Sequence, residues 1–537
     1  MNQYVKHSII NGETSLGIEL GSTRIKAVLI DRNFATIASS SYEWENQLID
    51  GYWTYSLDAM MHGLQETYRR LRQDVENKYG ITLQKIGSIG CSAMMQGYIA
   101  LDNAGDLLVP FRTWRNATTG VAASELTEKF KFKVPQRWSI AHLYQAILDD
   151  EEHVKNVDYI TTLSGYIHWR LTGSKTLGIC DASGMFPINE SSKQFNENML
   201  AIFDDLTAGN SYGWKLKDIL PQVNAAGEYA GYLHEAGALL LDPSGNLQAG
   251  TPLCPPEGDA GTGMVATNSV QKRTGNISAG TSIFAMLVLE KDLSAVYPEI
   301  DIINTPEGHP VAMVLANNCS GDINAWVGLF AEFYEAMGLE PDTSQIFNVL
   351  FNKAMEADAD GGGLLSYGYY SAENITGFAN GRPLFVRSAE SRFNLANFIR
   401  MHLFTAFAAL RIGIDILTQK EHMNIDGILA HGGLFKTPVV GQKMCAAALN
   451  VPISVMPTAG EGGAWGMAVL ACFMVNKEQH EGLSDYLANK VFKDTEGKKL
   501  YPEPADVNGF TLYMERYKRG LAIEQAAIDH LVENHRK

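Results

Sequence analysis

Cysteine is scarce in this chain, with six in 537 residues (Cys91, Cys180, Cys254, Cys319, Cys445 and Cys472), none at metal-ligand spacing from another. That argues against a disulfide framework or a structural zinc site and predicts buried free thiols in a reducing compartment. Positive charge is also short, 43 Lys and Arg against 60 Asp and Glu, for a net charge of -17. Such a balance argues against a general nucleic-acid or anionic-membrane binder, because no broad phosphate-neutralising surface is available. A small phosphate-bearing ligand needs only local donors and stays allowed. Long apolar runs are missing too: the longest, Ala464 to Val475, contains Gly466 and is too short to span a bilayer. The first residues, MNQYVKHSIINGETS, lack the apolar core of a signal peptide. The expectation is a cytoplasmic protein with no membrane or nucleic-acid partner. Prolines number 18 against 50 glycines, which points to many tight turns rather than extended linkers.

What is present is a repeat. Leu20-Gly-Ser-Thr-Arg-Ile-Lys-Ala-Val-Leu-Ile30 is echoed by Ala279-Gly-Thr-Ser-Ile-Phe-Ala-Met-Leu-Val-Leu289, about half a chain later. Leu16, Ile18 and Leu20 alternate with Gly17 and Glu19 before the first turn, the pattern of a half-buried strand. Strand, Gly-hydroxyl-hydroxyl turn, strand makes a hairpin whose tip exposes backbone N–H groups and can cradle phosphate oxygens. A single copy is no more than a turn; two copies suggest two related lobes. A chain of this length is also too long for one core.

Elsewhere the periodicity switches between strand and helix. Leu57, Met61, Leu64, Tyr68, Leu71 and Val75 fall at helical spacing with Gly80 as the stop, and Ile86 to Cys91 reads as a strand. Leu395 to Leu417 carries one long apolar helix face, and Asp426 to His431 reads as a strand delivering Gly432 and Gly433. Alternating strands and helices make the class α/β. The lobe boundary is expected near Asn268 to Thr274, and Asp358 to Gly363 is expected to be a loop within the second lobe. Gly258-Asp-Ala-Gly-Thr-Gly-Met-Val-Ala266 contains G-x-G-x-x-A, but it follows Pro255-Pro256 rather than a strand and has no acidic residue about 20 positions on. A dinucleotide site is therefore rejected, and no Walker-type G-x-x-x-x-G-K-[ST] occurs.

Several blocks stand in a particular order: Glu19-Leu-Gly-Ser-Thr-Arg-Ile-Lys26, Ser92-Ala-Met-Met-Gln-Gly97, Trp114-Arg115-Asn116, Tyr166-Ile-His-Trp-Arg-Leu-Thr-Gly173 and Asp181-Ala-Ser-Gly184. Leu220-Pro221, Gly250-Thr-Pro252, Gly258-Asp259, Gly280-Thr-Ser282, Gly432-Gly433 and Glu461-Gly-Gly-Ala-Trp-Gly466 follow. From about residue 14 to 520 this series resembles the FGGY carbohydrate kinases, of the xylulokinase or ribulokinase type. The resemblance implies a duplicated actin-like (ribonuclease H-like) α/β fold, with two lobes around a catalytic cleft. Residues 14–268 would form the sugar-binding lobe and 274–520 the nucleotide-binding lobe. It implies ATP and Mg2+ as cofactors, a small sugar as the other partner, and leaves a homodimer open. The chain departs from the family pattern at Glu19, where Asp is usual, at Gln96, where His is usual, and at Trp114 to Thr118, where an acid and an arginine are lost.

Residue by residue, the resemblance makes Asp259 the base that takes the sugar hydroxyl's proton; the plainer reading is a helix cap, and the two roles are compatible. Gly21, Ser22, Thr23, Gly280 and Thr281 are expected at the β- and γ-phosphates, with Lys26 within reach. Gly432 and Gly433 would let backbone approach the nucleotide, and Gly321, ahead of Trp326, would line the same pocket. Glu19 is expected to orient magnesium through water. Met95, Gln96, Trp114 and Asn116 are the candidate sugar wall beside Asp259, and Glu373 the brace of an interlobe hinge. A ketopentose such as xylulose or ribulose is favoured; fuculose, rhamnulose, gluconate, glycerol and erythritol are alternatives. The rival classes are an acetate-kinase-like or heat-shock-like ATPase and a non-catalytic sugar-sensing regulator. The sugar-segment order between 92 and 184 disfavours the first. The lack of a basic helix-turn-helix disfavours the second.

Overall fold

The computed structural model describes residues 2–210, 212–455, 462–493 and 497–531. They form two α/β units. The first comprises Met1–Val270, Asp301–Val311 and Gly460–Asp494; the second comprises Gln271–Ile300, Ala312–Ala459 and Thr495–Lys537. Two stretches expected in the second lobe, 301–311 and 462–493, therefore belong to the first unit. Asp301 explains one of them: its carboxylate takes Lys133 Nζ at 2.7 Å and Arg137, which anchors that segment.

The sheet of the first unit runs Gly231–Tyr232, Pro252–Leu253, Ser88–Ala93, Ser15–Leu20, Arg24–Ile30, Thr36–Glu43, and Glu257–Gly258 also pairs with Ser88–Ala93. Ser15–Leu20 is antiparallel to Arg24–Ile30 and parallel to Ser88–Ala93. The second unit repeats this arrangement: Thr274–Ala279 is antiparallel to Ile283–Val288 and parallel to Gly427–Gly432, with Ile453–Val455 and Lys498–Leu500 beyond. The repeat in the sequence is thus a repeat of topology.

The Ser15–Leu20 strand is not half-buried, as its alternation suggested. It is covered on both faces. The reason is the Gly462–Asn476 helix, apolar all round, which lies on the face that carries Gly17. A Cβ on Gly17 would stand 2.0 Å from Ala464 O and 2.4 Å from Ala468 N. The same helix crosses Asp259–Ala266, where a Cβ on Gly466 would stand 2.2 Å from Thr262 O. Backbone meets backbone at both points, and only glycine permits it.

The helix predicted around Leu57 runs Leu57–Tyr79. Ser56 Oγ accepts the Ala59 N–H at 3.0 Å, and Gly80 ends the helix with φ 67°. Met60 is buried in the core, and Leu57 and Met61, partly buried, pack against it. In the second unit Leu395–Asp415 is the central helix. With its extension to Lys420 it is, among the described residues, the one helix long and apolar enough to cross a membrane, and 78% of its most apolar window is buried inside the fold. Residues 358–363 form a loop in this unit, with Gly361, Gly362 and Gly363 all at positive φ. All six cysteines are buried and free.

Gly17→Ala should separate strand from helix and destabilise the first unit by about 1–3 kcal/mol, as overpacking does. Thermal denaturation checks this. An unchanged midpoint would show that the helix yields without cost.

Candidate functional site

The tip of the first hairpin is a tight turn in which the Gly21 N–H donates to Arg24 O at 2.9 Å, with Ser22 and Thr23 between. Its carbonyls are all taken. Trp44 Nε1 donates to Gly21 O at 2.7 Å, Tyr55 OH to Ser22 O at 2.6 Å and the Trp44 N–H to Thr23 O at 3.2 Å. The Trp44 and Tyr55 rings stack with centroids 4.1 Å apart, so one aromatic pair fixes the whole turn. With its acceptors used, the tip presents N–H groups and hydroxyls to an open cleft of about 600 Å³, lined by Glu19, the turn, Lys26, Trp44 and Asp259 among others. Neither Trp44 nor Tyr55 was expected from sequence. The signal was the aromatic cluster Trp44, Tyr52, Trp53 and Tyr55 following the hairpin.

Of the four carboxylates that line this cleft among the described residues, Glu19, Glu43, Glu45 and Asp259, the first and last sit at strand and helix ends beside the turn. Glu19 stands opposite Lys26 on one neighbouring strand and Ser92 on the other. Its Oε2 is buried and completes no hydrogen bond among the described residues. Burial raises the Glu19 carboxyl above its usual range, and Lys26 and the nearby Ala464 and Gly463 N–H groups oppose that rise. Gly463 lies close against this carboxylate: a Cβ there would stand 2.5 Å from Glu19 Oε2 and displace it. Glu461, expected in the same block, lies outside the described residues.

Asp259 opens the Asp259–Ala266 helix, and its Oδ1 accepts the Met95 N–H at 3.2 Å. The carboxylate is open to the cleft while protein encloses it on its other sides. That enclosure, and next the charge of Glu19, raise its pKa above the usual carboxylate range. Water in the cleft screens part of the rise.

The candidate sugar wall divides. Met95 is buried against Gly258 and Gly184, where the added Cβ positions would lie 2.0 Å from its Cγ and 3.0 Å from its Cε. Gln96 sits at φ 73° beside Gly184, its backbone turned by Gly97 at φ 87°. Trp114 is exposed and donates from Nε1 to Ser22 Oγ at 3.3 Å, which links it to the hairpin tip. Asn116 is buried, and its amide is spent on Trp53 N at 2.8 Å, Trp53 O at 2.9 Å and Thr113 O at 3.0 Å. It braces the aromatic segment.

In the second unit the five expected nucleotide residues gather at one end of the sheet. The Gly280 N–H donates to Ser282 O at 2.8 Å, and Ser320 Oγ to Gly280 O at 2.7 Å. The Cys319 N–H donates to Thr281 O at 2.9 Å, so the Gly321–Ala336 helix begins at this turn. Gly432 pairs with Ala279 at φ 107°, where a Cβ would stand 2.2 Å from Ala279 O; Gly433 follows, exposed. Glu373 is buried and accepts the Asn318 N–H at 3.2 Å and Asn318 Nδ2 at 3.1 Å. It braces the strand that leads into Gly321.

Residues 14–254 match the N-terminal domain model, and residues 275–475 the C-terminal domain model, of the FGGY family of carbohydrate kinases. The chain belongs to the FGGY family. Like other FGGY carbohydrate kinases it is an ATP-dependent sugar kinase with the duplicated actin-like fold. It is 21% identical over 524 residues to a xylulose kinase from Haemophilus influenzae, covering 94% of this chain and 98% of that one. The crystal structure of ligand-bound xylulose kinase from Lactobacillus acidophilus is similar at TM-score 0.75 and 19% identity, covering 95% and 99% of the two chains. Gluconate kinase from the same organism is similar at TM-score 0.75 and 20% identity, covering 96% and 99%.

Because Glu19 raises the Asp259 pKa, Glu19→Gln should lower it. Titration of a carbon-13-labelled Asp259 carboxyl by NMR checks the sign. A midpoint that stays put or rises would mean the two groups do not interact.

Proposed function

We propose that this chain transfers the γ-phosphoryl group of ATP to a hydroxyl of a ketopentose, xylulose ahead of ribulose, with Asp259 as general base. The observation that carries the mechanism is Asp259 itself, a carboxylate open to the cleft yet held by the Met95 N–H. A sugar hydroxyl is a poor nucleophile at neutral pH, and a carboxylate with a raised pKa is a better proton acceptor for it. The hydroxyl proton passes to Asp259 as the oxygen attacks the γ-phosphorus, and ADP leaves. Because Asp259 acts deprotonated, turnover should rise with pH through its raised pKa.

Gly21, Ser22 and Thr23 supply phosphate donors, with Lys26 beside them. Gly280, Thr281, Gly321, Gly432 and Gly433 of the second unit hold the nucleotide. Most of what the protein contributes is position and charge. Among the described residues no cluster of three or more His, Cys, Asp or Glu side chains forms a closed metal cage. Magnesium fits such a site, since it keeps several waters and takes one or two carboxylates plus phosphates. Glu19, which lines the cleft with its Oε1 toward the Gly21 turn, would hold it through water, and the ion would neutralise developing phosphate charge. Met95, Gln96 and Trp114 form the sugar wall around Asp259, and the end-to-end match to a xylulose kinase supports the ketopentose.

Asp259→Asn should lower sugar phosphorylation about 10²–10⁴-fold while ATP binding measured by calorimetry is retained. Wild-type turnover in that variant would remove Asp259 from the mechanism. ADP release over a panel of xylulose, ribulose, fuculose, rhamnulose, gluconate, glycerol and erythritol tests the substrate, and turnover highest on gluconate or a polyol would replace the ketopentose.

Glu19→Gln should raise the magnesium concentration for half-maximal rate more than the KM for sugar. A change in the sugar KM alone would move Glu19 away from the metal.

A further inference from the structure

Behind Asp259 lie two carboxyl groups that the mechanism above leaves without a task. Glu257 is 1% exposed and Asp181 fully buried. The Asp181 N–H donates to Glu257 Oε2 at 3.1 Å, and Asp181 Oδ2 accepts Thr162 Oγ1 at 2.6 Å and Ser164 Oγ. The other oxygen of each, Glu257 Oε1 and Asp181 Oδ1, completes no well-formed hydrogen bond among the described residues, although the Gly258 and Cys180 N–H groups lie near Glu257 and that of Gln96 near Asp181. There is little room to adjust. A Cβ on Gly178 would stand 2.3 Å from Glu257 Oε1, and one on Gly258 would stand 2.0 Å from Met95 Cγ and 3.3 Å from Asp181 Oδ1.

The sheet register adds a second fact. Glu257 pairs with Ser92 and Gly258 with Ala93, while Ser92 on its other edge pairs with Glu19. Glu19, Ser92 and Glu257 therefore share one row across three strands, and Ser92 Oγ is also buried with no hydrogen-bond partner among the described residues. Buried acids with unmade hydrogen bonds are destabilising, and apolar side chains of similar volume often fill such a space with greater stability. Folds keep arrangements of this kind chiefly where a site demands them.

We infer that Glu257, held by Asp181, is a positioning residue for Asp259: it fixes the strand-to-helix turn at Gly258 from which the Asp259 carboxylate projects. The inference rests on the assignment of Asp259 as the base. Glu257 is the residue two before it, and the carboxyl it anchors to, Asp181, lies close enough to raise the Asp259 pKa. Burial, and next the charge of Asp181, push the Glu257 carboxyl well above its usual range.

The test is a double-mutant cycle on the full chain with ATP and the best sugar of the panel, reading kcat, both KM values and the thermal midpoint. Glu257→Gln, which keeps the shape and the acceptor, should stay within about threefold of wild type. Glu257→Met should lower kcat about 10- to 100-fold, the scale of a misplaced catalytic group, with the KM for ATP not raised and the thermal midpoint not lowered. In the Asp259→Asn background the same change should cost less than about twofold, because its target is gone. A Glu257→Met enzyme with wild-type kcat overturns the inference. So does one whose midpoint, ATP KM and kcat all worsen together, or one whose loss multiplies fully with Asp259→Asn. If Glu257→Met does not fold, Ser164→Ala loosens Asp181 instead: a kcat loss masked by Asp259→Asn supports the inference and an additive loss overturns it. The two failures stay distinct. Full turnover in Asp259→Asn sinks the base and the positioning role together, whereas a dead Asp259→Asn beside an unimpaired Glu257→Met sinks the positioning role alone.

Discussion

Backbone-to-backbone contact at Gly17 and Gly466 is the constraint on which the first unit depends. The Gly462–Asn476 helix can lie on the Ser15–Leu20 strand and cross Asp259–Ala266 only because neither contact point carries a Cβ. Through that one helix the strand bearing Glu19 and the helix bearing Asp259 are clamped to a common support. A side chain at either glycine would move one carboxylate relative to the other. The close packing also explains why a strand with an alternating pattern is buried on both faces.

Clamping the acids together has an electrostatic result. Glu19 and Asp259 both face the cleft, and the charge of one raises the pKa of the other. Lys26, opposite Glu19 in register, offsets part of this. A carboxylate raised in this way holds a proton more readily than a solvated aspartate does, which suits a group that must accept one during phosphoryl transfer. Charge crowding that looks costly for folding is therefore consistent with the chemistry of a sugar kinase.

Much of this was legible in the sequence. The Gly-Ser-Thr and Gly-Thr-Ser turns announced two copies of one topology, because a hairpin is a local structure with a local signature. The capped Leu57–Tyr79 helix was legible for the same reason. What could not be read depends on residues far apart in the chain. Trp44 and Tyr55 hold the first turn by bonds to its carbonyls, and no spacing rule couples positions 22 and 55. Asn116 looked like an amide free to read hydroxyls, yet its bonds to Trp53 come from 63 residues away. The membership of 301–311 in the first unit rests on contacts such as Asp301 with Lys133 and Arg137, Asn304 with Ser183 and Glu307 with Leu483, pairings invisible to periodicity.

The two hairpins share a topology but differ at matching positions. The first turn closes from Gly21 to Arg24, the second from Gly280 to Ser282. Two residues ahead of each glycine, the first copy carries Glu19 opposite Lys26 and the second carries Ser278 opposite Phe284. Duplication alone yields two equal halves, and equal halves have no direction. A transfer reaction needs a donor end and an acceptor end. Exchanging an acid facing a base for a hydroxyl facing a ring is enough to break the symmetry: at these matching positions one half carries charge and the other does not, so the halves are no longer interchangeable.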